Sequence, residues 1–180
     1  MPKRISYVDP YGYTIEAIGY TLDELLRREY TPKFRYAKPI ERQLALIWVS
    51  RRRIDGYYFF GFELPREVEP EILRLPEPIR RDAIILSRFK VDCIVETPSE
   101  WLIVEIKDRL QSTSISQPLF YEQLFKQYFK PTKPTRKLLV AGQAVSEAAA
   151  VAKSLGIEVD VLNVPVPRKP AEQLLYALRA

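Results

Sequence analysis

Histidine is absent from this chain, cysteine and methionine occur once each, and glycine appears only six times in 180 residues. The missing histidine and the scarcity of cysteine disfavour a zinc site, because Zn²⁺ prefers those ligands. The lone Cys93 cannot form an intramolecular disulfide, which fits a reducing compartment. It falls on the apolar side of a strand, where it reads as a small core residue. No run approaches ~20 consecutive apolar residues, and MPKRISYVDP has no apolar signal region, so a soluble, intracellular protein with no membrane partner is expected. Nor is there a glycine-rich phosphate loop: Ala141-Gly142-Gln143 is too sparse for a dinucleotide site. Fifteen prolines beside so few glycines, with high charge, is the composition expected of a heat-adapted source.

What the chain does have is basic charge, 28 Lys and Arg against 23 Asp and Glu, for a net charge of +5. That excess permits nucleic-acid binding without demanding it. Three clusters concentrate it: Arg51 to Arg53, Arg80 with Arg81, and Lys130 through Lys137, which includes Lys133 and Arg136. Each is a candidate tracker of phosphates, as Arg88 is, and each is equally well an ordinary solvated loop.

The run RFKVDCIVETPSEWLIVEIKD carries the chemistry. From Arg88 to Val95 residues alternate, with Phe89, Val91, Cys93 and Val95 on one side and Arg88, Lys90 and Asp92 on the other. Leu102, Val104 and Ile106 then share one face, and Trp101, Ile103, Glu105 and Lys107 the other. Thr97-Pro98-Ser99-Glu100 is rich in turn formers, so the two runs read as an antiparallel hairpin. With Glu96 opposite Trp101, Asp92 falls opposite Glu105, whereas a slip of one residue would send the carboxylates to different faces. Carboxylates so placed, with Cβ atoms ~5 Å apart, repel unless a cation lies between them. Oxygen ligands completed by water suit Mg²⁺, or Mn²⁺ in its place. Lys107, on the same face as Glu105, would orient the attacking water or stabilise charge developing on a phosphate.

Asp92, Glu105 and Lys107 resemble the PD-(D/E)XK nuclease superfamily, in which an acid on one core strand is followed by Glu-x-Lys on the next. Val91 stands where that signature has proline. Gln117 and Tyr121, in a Gln-x-x-x-Tyr helix, together with Arg88, resemble the RecB-like and the phage or archaeal members. The resemblance spans roughly residues 80 to 162. It implies an α/β (α+β) fold with a restriction-endonuclease-like core, a central mixed β-sheet flanked by helices. It further implies DNA as partner, Asp92 and Glu105 as metal ligands, and Gln117 with Tyr121 in support. Glu41 enters as a further ligand by the same resemblance, although an acid in a first helical turn is the more ordinary reading of it.

The rest of the chain reads in order. Residues 4 to 19 predict a hairpin turning at Asp9-Pro10-Tyr11-Gly12, and Thr21 with Glu24 a capping box that opens a helix over 23–30. Pro39 starts either a helix bearing Ile40, Leu44, Ile47 and Trp48, or a shorter one giving way to strands paired around Asp55-Gly56. Pro65 to Pro78 predicts a loop with one short helix. Asp82 to Leu86 predicts another strand, with Asp82 a weaker rival to Asp92. A polar loop is expected over 108–116, then a helix from Ser116 and Pro118. A parallel strand–helix–strand unit follows over 137–162, with Gly156 closing the helix. The expected organisation is an N-terminal hairpin and helix extension (1–38), a nuclease core (39–164), and a proline-rich connector with a terminal helix (165–180). The apolar face of that helix fits its own domain or a homodimer.

Together these readings predict a Mg²⁺-dependent deoxyribonuclease. The alternatives are a non-cleaving nucleic-acid-binding protein on the same fold, or an assembly protein using the last helix and the aromatic run YYFFGFEL (57–64).

Overall fold

A computed structural model describes residues 2–26 and 38–164. Seven strands form one mixed sheet in the order of the chain: β1 (Lys3–Val8), β2 (Thr14–Thr21), β3 (Tyr57–Leu64), β4 (Phe89–Glu96), β5 (Trp101–Leu110), β6 (Thr135–Ala144) and β7 (Ile157–Val161). The first four junctions are antiparallel and the last two parallel. This is the expected mixed sheet, and the N-terminal hairpin is continuous with it through β2 and β3 rather than standing apart.

Helices cover both faces. α1 (Leu22–Leu26) opens on the expected capping box, with Glu24 accepting from the Thr21 N–H and the Glu24 N–H donating to Thr21 Oγ1. Its predicted extension to residue 30 lies outside the described residues, as do the connector and helix of the tail. α2 (Pro39–Arg52) takes the longer of the two forms open to it, and buries Leu44, Trp48 and Val49 against Cys93, Val95, Val104 and Ile106. α5 (Ser116–Phe129) packs Tyr121 and Phe125 on the opposite face, against Phe59, Phe62, Val91 and Ile103. α6 (Ser146–Ser154) joins the two parallel strands and ends before Gly156, whose φ of +70° suits a residue without Cβ.

Several expectations need correction. The 82–86 segment belongs to a helix, α4 (Ile79–Ser87), preceded by the short α3 (Pro70–Leu73) in the proline-rich stretch. Only Ile84 of α4 is buried, and a short apolar run does not distinguish a one-sided helix from a strand. Asp82 is exposed there and is no rival to Asp92. The predicted loop after Lys107 is shorter than expected, because β5 continues to Leu110 and a 3₁₀ turn follows at Ser112–Ser114. The aromatic run of β3 is core rather than a contact surface, with Tyr58, Phe59, Phe62 and Leu64 fully buried.

The alternation along β4 also breaks. Cys93 and Val95 face α2, but Val91 and Phe89 pack on the α5 side. The partner strand breaks in step: Phe60 packs towards α2, whereas Phe62 and Leu64 face α5. Between the pairs Phe60–Cys93 and Phe62–Val91 stand Gly61, with φ +62°, and Asp92. A left-handed glycine lets both strands change phase at this point, and Asp92 sits at the break.

Candidate active site

The β4–β5 register is the one arithmetic predicts: Glu96–Trp101, Val95–Leu102, Ile94–Ile103 and Cys93–Val104. The paired ladder ends at Cys93. Asp92 does not extend it, and its carboxylate instead accepts the Ile106 N–H at 2.8 Å. β4 continues along β3 to Phe89, while β5 continues along β6 to Leu110. The strands therefore fork at Asp92, and the site lies in the mouth of the fork.

Glu105 is on the α5 side of β5, between Val104 and Ile106, which both pack towards α2. Its side chain is only 3% exposed. Lys107 Nζ donates to Glu105 Oε1 at 2.6 Å, but Oε2 is buried with no hydrogen-bond partner. A buried carboxylate oxygen left unpaired is costly, so its position calls for a ligand.

The electrostatics agree with this geometry. Burial is the main cause that raises the Asp92 carboxyl to about 6, against the hydrogen bond from Ile106 and the charge of Lys107. Burial raises Glu105 to about 8, with the Asp92 charge adding to it and Lys107 opposing it. Lys107 loses some of its proton affinity to burial, yet Glu105 more than restores it, and its ammonium is held above the usual lysine range. Lys107 thus remains a cation at neutral pH.

A pH dependence follows for the metal-free protein. Both carboxyls bind protons more tightly folded than unfolded, so the stability this confers is fully present in acid and is lost as pH rises from the ordinary carboxylate range through the folded values, about 6 for Asp92 and about 8 for Glu105. The melting temperature in a chelator should fall across that window, and Glu105→Gln should flatten its upper part. A flat wild-type profile would count against a buried carboxylate pair.

Two helix starts border the fork. Glu41, buried in the first turn of α2, accepts the Lys38 N–H at 3.0 Å and lies 3.4 Å from Lys38 Nζ, so it fills the helix-start role expected of an acid there. It is also near enough to raise the pKa of both Asp92 and Glu105. From α5, Tyr121, its hydroxyl pKa raised by burial, also senses the charges of Glu105, Asp92 and Lys107, with Gln117 one turn before it on the helix. Asp92, Glu105, Lys107, Glu41, Gln117 and Tyr121 therefore share one electrostatic neighbourhood. Sequence reasoning missed Lys38, whose charge lowers the Asp92 pKa. Its spacing of three from Glu41 was the available signal.

Among the described residues no group of three His, Cys, Asp or Glu side chains forms a cation site. Two carboxylates, one with a free oxygen, still fit Mg²⁺, which commonly takes one or two protein carboxylates and keeps several waters.

The basic clusters lie largely elsewhere. Arg88 is a correction to the expected phosphate contacts: its side chain is 4% exposed and bonded to Asp9 and Glu63. Arg51 donates to the Leu162 carbonyl, and Arg53 closes α2 in a left-handed conformation, ~15 Å and ~18 Å along the helix from Glu41. Lys133 holds Glu96 and the Thr97 carbonyl, while Arg136 holds Glu100 and Glu158. These contacts are at the Trp101 end of the sheet, ~13 Å along β5 from Glu105. Arg80 pairs with Glu77, and Arg81 is exposed on α4.

Comparison with family models, with curated proteins and with solved structures yields no match to this chain.

Proposed function

We propose that this protein is a metal-dependent DNA nuclease of the PD-(D/E)XK kind, hydrolysing phosphodiester bonds at the fork between β4 and β5. The observation that carries this reading is the unpartnered Glu105 Oε2, buried beside a second carboxylate and next to a lysine bound to the other Glu105 oxygen. Asp92 and Glu105 would hold Mg²⁺, or Mn²⁺, with Glu41 close enough to add negative field. Bound there, the cation would supply Lewis-acid polarisation of the phosphate and a more acidic water.

The chain's own groups divide the remaining work. Asp92 is fixed by the Ile106 amide, so its free oxygen keeps one direction. Lys107 remains protonated and acts as a charge rather than a base, stabilising negative charge as it grows on the phosphoryl oxygens and orienting the attacking water. Gln117, one turn before Tyr121 on α5, would orient the Tyr121 hydroxyl beside the site.

The test is a panel of linear, circular, flapped and branched DNAs incubated with Mg²⁺, Mn²⁺ or a chelator. Cleavage of at least one form with either metal and none with chelator is expected. Binding without cleavage under every condition would replace this reading with that of a non-cleaving DNA-binding protein.

A further inference from the structure

Phe120 is 45% exposed, an unusual state for a phenylalanine one residue from Tyr121 at the edge of the cleft. It is not isolated. Its ring meets Phe89 edge-on at 4.9 Å, and Phe89 and Phe120 stand 6.2 Å and 6.1 Å from the Tyr121 ring. Phe89 is three residues before Asp92 on β4, ~10 Å along the strand. Arg66, exposed just beyond β3, places its guanidinium 5.2 Å from the Phe89 ring and makes no ion pair among the described residues. In the basic clusters at the other end of the sheet, Arg51, Arg52, Lys133, Arg136 and Lys137 are tied to acids or carbonyls. Among the described residues this arginine is held only by an aromatic face.

An exposed aromatic surface flanked by an unpaired arginine is what an unpaired nucleobase recognises: the ring offers a face for stacking, and the guanidinium a cation for the adjoining phosphate. A base inside a duplex is already stacked on its neighbours and cannot use such a surface without unpairing. We propose that Phe120, Phe89 and Arg66 form a stacking platform for an unpaired base beside the Asp92–Glu105 fork, which directs the enzyme to single-stranded ends or flaps of DNA. The substrate class rests on the nuclease reading, whereas the platform itself rests on the aromatic and arginine geometry. Phe120 supplies the open face, Phe89 braces it edge-on, and Arg66 neutralises the phosphate that follows the base.

The test uses the full chain in a chelator, so that binding is read without cleavage. Fluorescence anisotropy compares a single-stranded oligonucleotide with a blunt duplex of the same sequence, and 2-aminopurine in the single strand reports stacking through quenching. Wild type should prefer the single strand and quench the probe. Phe120→Ala should weaken single-strand binding between about 5-fold and about 100-fold, the range of one lost base–aromatic stack, and should abolish quenching with little change for duplex. Phe120→Tyr should restore both readouts and Phe120→Leu neither, which separates stacking from simple apolar contact. Because Phe120 is half exposed, the variants should melt with wild type.

Wild-type-like single-strand binding by Phe120→Ala, equal losses for both DNAs, or rescue by leucine would overturn the platform. Cleavage measured in parallel separates the two readings. A wild type that cleaves while Phe120→Ala binds normally removes the platform alone. A wild type that never cleaves, yet shows the Phe120 effect, removes the nuclease reading alone.

Discussion

Glu105→Gln should remove Mg²⁺-dependent cleavage altogether, while Lys107→Ala should lower it by about 10²-fold to 10³-fold, the usual cost of losing one preorganised stabiliser of transition-state charge. The two losses should differ in kind. Glutamine keeps the shape of Glu105 but removes a carboxyl that would become an anionic ligand on giving up its proton to an incoming cation, and whose Oε2 has no protein partner. Calorimetric titration with Mg²⁺ should therefore lose its signal. Lys107→Ala keeps both carboxylates and removes a cation that opposes their charge. It should still bind Mg²⁺ and show its deficit in kcat. Stability offers a control, since Glu105→Gln relieves repulsion with Asp92 and should melt no lower than wild type near pH 8 in chelator. Undiminished cleavage by either purified variant would end the assignment of this fork as the catalytic centre.

Those two variants rest on features legible in the sequence to different degrees. The β4–β5 register was readable because both strands alternate, their turn is marked by Thr97-Pro98-Ser99-Glu100, and a slip would invert every side chain. Glu105 and Lys107 follow directly from it. The setting of Asp92 does not, because it depends on Gly61 in a different strand, where a left-handed residue changes the phase of β3 and β4 together. Alternation is local and cannot register a break imposed from a neighbour. The same limit explains α4, whose Ile84, Ile85 and Leu86 look alike in sequence although only Ile84 meets the core. It explains Phe120 as well, for helical spacing shows that it precedes Tyr121 but not that Phe89 and Arg66 come from two other segments to meet it.

Arg88 is the largest such case and leads to the largest expected effect on stability. Beside Asp92 in a basic, alternating strand it reads as a phosphate contact, yet its partner Asp9 is 79 residues away in the N-terminal hairpin. Asp9 Oδ1 accepts the Tyr11 and Tyr13 N–H groups that shape the hairpin turn, and Oδ2 accepts from Arg88 at 2.9 Å. The other arm of the guanidinium reaches Glu63 at the end of β3 at 3.0 Å. One buried cation thus pins the β1–β2 turn to the sheet just beyond the fork. Arg88→Ala would leave the Asp9 side chain, 1% exposed, as an uncompensated buried charge. Breaking a buried pair from one side costs about 3–5 kcal/mol, which for a chain of this size corresponds to a melting temperature lower by roughly 10 °C. Lysine should not rescue it, because a single ammonium cannot span two carboxylates as the fork of a guanidinium does. Asp9→Asn combined with Arg88→Ala should cost less than the sum of the single changes, since the second removes the charge the first exposed. Additive losses in that cycle, or a shift of only a degree or two in Arg88→Ala, would show that the hairpin is held by its backbone ladder and by Tyr7, which donates to the Glu63 carbonyl, rather than by this charge. The single-strand binding measured for wild type should survive Arg88→Ala below its melting transition, because Arg88 faces Asp9 and Glu63 and its side chain is buried away from any phosphate.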